Sequence, residues 1–190
     1  LHFEEGEEVQ DCRAVRDFKL PDHYLLMATR KGLVKKTKLE AYSRPKRGGI
    51  IAIKLREDDE LVDVVVTQTN DEVVLSTATG MAIRFKESDA RPMGRNSSGV
   101  KGISLGKGDE LVGMVVADPE ATLLTACQHG YGKRTYFGVS SAAEADDAAD
   151  TGAEAEATET NGEDTASGQR YRTQRRGGKG LRDIKTTTRN

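Results

Sequence analysis

Three stretches of this chain repeat one another at intervals of about fifty residues, and that self-similarity limits the possible fold more than any other feature. They are YLLMATRKG (Tyr24 to Gly32), EVVLSTATG (Glu72 to Gly80) and TLLTACQHG (Thr122 to Gly130). Each has apolar residues, small residues and a closing Gly, and the closing glycines lie 48 and 50 positions apart. A basic segment follows every Gly: LVKKTKL, MAIRFKE and YGKRTYF. Next comes a loop with Gly and an apolar segment: RPKRGGIIAIKL, RNSSGVKGISL and RRGGKGLRDIK. DDELVDVVV and GDELVGMVV complete two units, and GEEVQDCRAV resembles the same element of a preceding one.

The apolar runs are short, β-branched or aliphatic, and bounded by Gly, Asn or Asp, which predicts buried strands rather than helices. Four short strands per unit at this period predict an all-β, propeller-like array of four-stranded blades, each stacked on its neighbours to cover its apolar faces. The closing glycines are expected at hairpin turns that need positive φ. About three to four blades or part-blades are present: residues 1–23 end a preceding blade and connect it, 24–71 and 72–121 are blades, and 122–190 is an incomplete blade. The Leu at position 1 in place of Met leads us to expect a piece of a longer chain.

A formal net charge of −2 conceals the charge distribution. Residues 142–168 carry nine acidic side chains, no basic ones and no large apolar ones, a composition that predicts a disordered insertion. Without it, 29 basic residues face 22 acidic ones, and the tail from Gln169 to Asn190 alone holds eight Lys/Arg against one Asp.

The residues give little support to catalysis. GRNSSGVK begins as a phosphate loop would, but Val100 and Lys101 stand where Lys and Ser/Thr are needed. His2, His23 and His129 are scattered and have no nucleophile at a recurring position. Asp58, Asp59, Glu60, Asp109 and Glu110 recur at one point of the unit, which points to turn chemistry. Cys12 and Cys127 have no metal-ligand spacing and are expected to be buried thiols of a reducing cytoplasm. No apolar run is long enough to span a bilayer, so no membrane association is expected.

The basic residues, in contrast, recur in register. Lys35 and Lys36, Arg84 and Lys86, and Lys133 and Arg134 follow the closing glycines. Lys46 and Arg47, Arg91, Arg95 and Lys101, and Arg175, Arg176 and Lys179 belong to the following loops. Matching positions of stacked blades share a rim, so these residues are expected to form a cationic belt suited to duplex DNA, with contacts to phosphates rather than base edges.

LLMATRKGLVKKT, GGIIAIKL, IRFKESDARPMGRNSSGVKGISL, TACQHGYGKRT and above all QRRGGKG resemble the carboxy-terminal domain of the bacterial DNA gyrase A subunit. The resemblance covers nearly all of the chain except the acidic insertion, and it implies a β-pinwheel whose basic rim wraps DNA. The heptad corresponds to the family's gyrase box and falls on Gln174, Arg175, Arg176, Gly177, Gly178, Lys179 and Gly180. The resemblance also implies a holoenzyme of two A and two B subunits that introduces negative supercoils using ATP and Mg. The catalytic tyrosine and the ATPase would lie outside this chain, which itself needs no cofactor. The equivalent domain of topoisomerase IV, with a similar blade pattern but usually a degraded box, is the alternative. A protein-binding propeller is a third reading.

Overall fold

The computed structural model describes residues 5–138 and 171–187, so the acidic insertion lies outside the described residues. Ten strands and two short 3-10 turns, Leu39–Tyr42 and Glu87–Asp89, make up the regular structure of the described residues. The strands are β1 (His23–Thr29), β2 (Leu33–Lys38), β3 (Leu61–Gln68), β4 (Glu72–Thr77), β5 (Met81–Lys86), β6 (Val100–Lys101), β7 (Leu111–Val116), β8 (Thr122–Ala126), β9 (Gly132–Tyr136) and β10 (Leu181–Arg182). They form two four-stranded sheets, ordered β3-β1-β2-β6 and β10-β5-β4-β7, and a β8-β9 hairpin. The all-β, blade-like architecture expected from the repeat is present.

The repeat period is reproduced in backbone detail. Gly32, Gly80 and Gly130 close the β1-β2, β4-β5 and β8-β9 hairpins at φ of 77°, 82° and 82°, a region where any Cβ is penalised. Thr29 Oγ1 and Thr77 Oγ1 accept the amide N–H groups of Leu33 and Met81, bracing the first two turns alike. In both four-stranded sheets the inner strand shifts register at the same place, between Ala28 and Thr29 and between Ser76 and Thr77.

The sheets do not close within a repeat. Each unit supplies only three strands of its sheet, and the fourth comes from the next unit's loop. Leu33 and Val34 pair with β6, while Ala82 and Met81 pair with β10. The reading of four strands within each repeat therefore gives way to three plus one exchanged strand.

Apolar runs without polar alternation arise because both faces of each sheet are covered. Leu26, Ala28 and Val34 meet Val73, Leu75, Ile83 and Phe85 in a core between the first two sheets, joined by Ile103, Leu111 and Met114. Val74 and Ala82 face the other way, onto Phe137 and Tyr171 beside the third hairpin. Met27 and Val64 face outward from the first sheet and are covered by Tyr42 and by partly buried residues such as Phe18, Ile50 and Ile53.

Cys12 is exposed and Cys127 half-buried, against the expectation of buried thiols. The segment around Cys12 adds no strand to a sheet, so its apolar neighbours do not enclose it.

Candidate nucleic-acid interface

Three of the six strand cations of the expected belt lie inside the protein. Lys35, Lys36 and Arg84 are all buried. Cations at these depths persist only with partners, and the fold supplies them. Lys36 pairs with the Glu87 carboxylate, and its Nζ lies 4.0 Å from the centroid of the Tyr24 ring. Arg84, 48 positions on, donates to Glu72 Oε2 from Nε at 2.8 Å and from Nη2 at 2.6 Å. Its Nη1 also donates to the carbonyl oxygens of Phe137, Gly138 and Tyr171 at 2.9, 3.2 and 3.3 Å. Lys36 and Arg84 thus face partners within the array, and the geometry leaves neither for a ligand. Arg134, at the matching position of the third hairpin, is exposed.

Lys35 has no carboxylate. Its Nζ donates to Thr37 Oγ1 and the Ala52 carbonyl, both at 2.7 Å, and to Tyr42 Oη at 3.3 Å. Burial, and next the positive charge of Arg95, push its ammonium down to a pKa of about 8. The third unit rebuilds the motif with a charge partner. Lys133 Nζ donates to Asp183 Oδ1 at 2.7 Å, Tyr171 Oη to the same oxygen at 2.5 Å, and Thr125 Oγ1 to Oδ2 at 2.8 Å. Burial alone would raise the Asp183 carboxyl, but the bonds from Lys133, Tyr171 and Thr125 hold it below the usual carboxylate range. Burial, with the Asp183 carboxylate beside it, pushes the Tyr171 phenol up. Asp183 also donates its amide N–H to the Gly80 carbonyl at 2.8 Å, so Lys133 pins the third hairpin to the second sheet. The recurring acidic residues are turn braces as expected: Asp59 Oδ1 accepts the Lys31 amide at 2.9 Å, and Asp109 Oδ1 the Thr79 amide at 2.9 Å.

The loop half of the belt is outside. Lys46, Arg47, Arg91, Lys101, Arg175 and Lys179 are exposed, as is Lys86 at the end of β5, and Arg95 and Arg176 are half-exposed. The second and third loops share one construction, and the first varies it by setting its turn two residues nearer the positive-φ glycine. Each has a four-residue turn, in which Gly49, Ser97 and Gly178 donate to the carbonyls of Lys46, Gly94 and Arg175. Gly49, Gly99 and Gly180 all take positive φ, at 78°, 92° and 79°. Gly99 and Gly180 start the exchanged strands, and a Cβ on either would collide with the carbonyl oxygen of the strand below, Val34 or Ala82.

Successive loops are also tied together. The Lys54 amide donates to the Ser97 carbonyl at 3.1 Å, and the Ser104 amide to the Gly178 carbonyl at 2.8 Å. The heptad Gln174–Gly180 is thereby split by orientation. The Gln174 amide donates to the Arg84 carbonyl at 2.7 Å, and the Gly177 amide to the Gly102 carbonyl at 2.8 Å. Arg175 and Lys179 point away from these anchors and are exposed.

Two exposed cations on the exchanged strands, Lys101 and Arg182, occupy matching positions. Arg182 was not among the expected belt residues, although the parallel between VK at 100–101 and LR at 181–182 marks it. Among the described residues, no group of three or more His, Cys, Asp or Glu residues is placed to hold a metal ion. No helix among them is long and apolar enough to cross a membrane.

The family model described as "DNA gyrase C-terminal domain, beta-propeller" matches residues 23–68, 71–118 and 167–189. The DNA gyrase A subunit of Staphylococcus epidermidis is 44% identical over 137 residues, covering 71% of this chain and 15% of that protein. Its Staphylococcus aureus counterpart is 42% identical over the same length and shares. The chain thus spans about one seventh of the length of these relatives. Among solved structures, a DNA gyrase A C-terminal domain superposes with a TM-score of 0.75 at 21% identity, covering 100% of this chain and 53% of that one. The C-terminal domain of a DNA topoisomerase IV gives 0.65 at 33% identity, covering 70% and 42%.

Proposed function

Because this chain belongs to the DNA gyrase C-terminal domain family, we propose that it binds and wraps duplex DNA along the rim formed by its exposed loop cations. The observation that carries the reading is the stacking of three equivalent basic loops in register, ending in a heptad that holds Arg175 and Lys179 outward. Lys46, Arg47, Arg91 and Lys101 continue the path through the earlier loops, with Lys86 at the end of β5 and Arg134 within β9. In this reading the units 24–71, 72–121 and 122–190 are the blades that carry it.

The chemistry is electrostatic. Among the described residues no helix presents a base-reading face, and the cations recur on loops beside glycine backbone, so the contacts are to phosphates and carry little sequence preference. Binding releases condensed counterions, and affinity falls with salt at a log–log slope of about −0.9 per phosphate neutralised. Bending the duplex costs on the order of a few kcal/mol, which the added contacts offset. In the whole protein this surface would serve supercoiling, with cleavage and ATP hydrolysis in other parts of a cytoplasmic, chromosome-associated assembly of two A and two B subunits. No catalytic step is assigned to the residues of this chain.

The test replaces Arg175 and Lys179 by Ala in the complete holoenzyme. DNA binding measured across a salt series should lose about 1.8 in slope, from about 0.9 per cation, and negative supercoiling should fall. Unchanged slope and supercoiling would refute the assignment. The similarity to a topoisomerase IV domain supports a second reading, in which the same variant loses DNA affinity while the enzyme relaxes but never introduces negative supercoils.

A further inference from the structure

On the reading of the rim as a DNA path, we propose that Arg176 is a positioning residue that fixes the step from one loop to the next, and that it is not a phosphate contact. The heptad then divides its work among its cations. Arg175 and Lys179 meet the polyanion, while Arg176 sets where the loop carrying them stands.

Its contacts carry the inference. Arg176 Nε donates to the Asp89 carbonyl at 2.9 Å, and its Nη1 donates to the Lys101 carbonyl. Lys101 lies on the exchanged strand of the preceding loop, so the side chain reaches backward onto the neighbouring unit. A bidentate grip on a phosphate needs two parallel N–H groups of the guanidinium fork. With its single Nε–H engaged, the fork formed by Nε and Nη2 is available only if that bond breaks, and turning the other fork toward a ligand must keep the Nη1 bond to the Lys101 carbonyl.

The repeat supplies an independent second case. Arg95 stands 81 positions before Arg176, the separation that also relates Gly99 to Gly180 and Gly102 to Asp183. Arg95 Nη1 points at the Ile51 carbonyl at 3.4 Å. Ile51 precedes Lys101 by 50 positions and matches it in the repeat. An arginine therefore recurs at this point of the loop and aims at the same carbonyl of the preceding loop both times. The backbone bonds Lys54 N–H to Ser97 and Ser104 N–H to Gly178 lie beside these contacts, and the Ser104 hydroxyl donates to the Gly177 carbonyl at 2.7 Å. Each arginine is one strut of a staircase whose tread height determines whether successive cations follow the curvature of bent DNA. Arg175 and Lys179 have no ion-pair partner among the described residues, and they remain free to engage the ligand.

The experiment compares Arg176→Lys, Arg176→Ala and Arg175→Ala in the holoenzyme, measuring the salt slope of DNA binding, the length of DNA protected from nuclease, and hydrogen exchange at the Ser104 amide. Arg175→Ala should lower the slope by about 0.9 and leave Ser104 exchange unchanged. Arg176→Lys keeps the charge, but its single ammonium cannot reproduce the planar two-carbonyl contact. It should keep the slope, speed Ser104 exchange and lose the extended protection. Arg176→Ala should show the same pattern, and Arg176→Lys keeps the test informative where the Ala variant does not fold. Wild-type protection and exchange in Arg176→Lys, or a slope loss of about 0.9 in Arg176→Ala with Ser104 exchange unchanged, would overturn the proposal. An unchanged slope in Arg175→Ala would refute the DNA path itself, and this inference with it.

Discussion

Replacing Arg84 by Met tests whether the internal cations hold the blades together. The guanidinium makes two bonds to Glu72 Oε2, at 2.8 and 2.6 Å, and three to main-chain carbonyls, with both partners buried. Met fills much of the same volume, so the loss is mainly electrostatic. The Glu72 carboxylate stays in the interior and keeps its bond from the Thr173 hydroxyl at 2.6 Å but loses the Arg84 charge. Removing one partner of a buried pair costs about 3–5 kcal/mol, whereas replacing both by apolar groups is often close to neutral. Opening of the second sheet should therefore become about 10² to 4 × 10³ times more frequent in Arg84→Met, since each 1.4 kcal/mol is about tenfold. The double variant Arg84→Met with Glu72→Leu should recover most of that loss. Native-state hydrogen exchange at the Gln174 amide, which donates to the Arg84 carbonyl, reads the opening directly. A single variant within about tenfold of wild type, or a double variant whose effect is the sum of the two singles, would refute the buried-pair account.

Two further outcomes follow from residues already described. Lys35 is held near a pKa of about 8 in the fold, against about 10.4 in an unfolded chain, so between those values the unfolded state binds more protons. Stability should rise with pH over that window and flatten in Lys35→Met, as thermal unfolding across a pH series would reveal; Ile83, at the matching position of the second unit, shows that the site accepts an apolar side chain. Gly180→Ala places a Cβ against the Ala82 carbonyl at a φ of 79°, which costs about 1–2 kcal/mol in backbone conformation before any clash and should detach β10 from β5. Gly178→Ala, with its nearest neighbour at 3.4 Å and no positive φ, should be tolerated; equal effects of the two on hydrogen exchange in β5 would contradict the assignment.

The repeat and its strands are legible in the sequence because hairpins are local. Each closing Gly and the runs on either side of it lie within about twenty residues. The exchanged strands are not legible, since β6 and β10 are two residues long and pair with strands far away in the chain. The same distance explains the basic residues. Lys36 and Lys46 look alike in sequence, yet Glu87, which pairs with Lys36, comes from the next unit. Arg84 is internal because Phe137 and Tyr171 bring the third unit over it. Composition finds the cations, and only the stacking of units sorts those that bind the protein to itself from those left outside. Glu72 faces Lys86 in the β4-β5 register and reaches Arg84 diagonally, and the matching positions hold Tyr24 and Thr122, so no recurring carboxylate marks the buried cations in the sequence.

One nitrogen of Arg84 holds both ends of the segment that contains the acidic insertion. The carbonyls of Gly138, where the chain departs, and Tyr171, where it returns, each lie within 3.3 Å of Nη1. A loop whose ends are fixed side by side is indifferent to its own extent: doubling its length costs only about 0.6 kcal/mol in closure entropy. The places of Gly138 and Tyr171 are thus set by described residues of the second and third units, whatever the number of residues between them. The guanidinium turns the two chain ends into a socket, and the segment between them joins the fold only a few residues before Arg175 and Lys179 in the sequence.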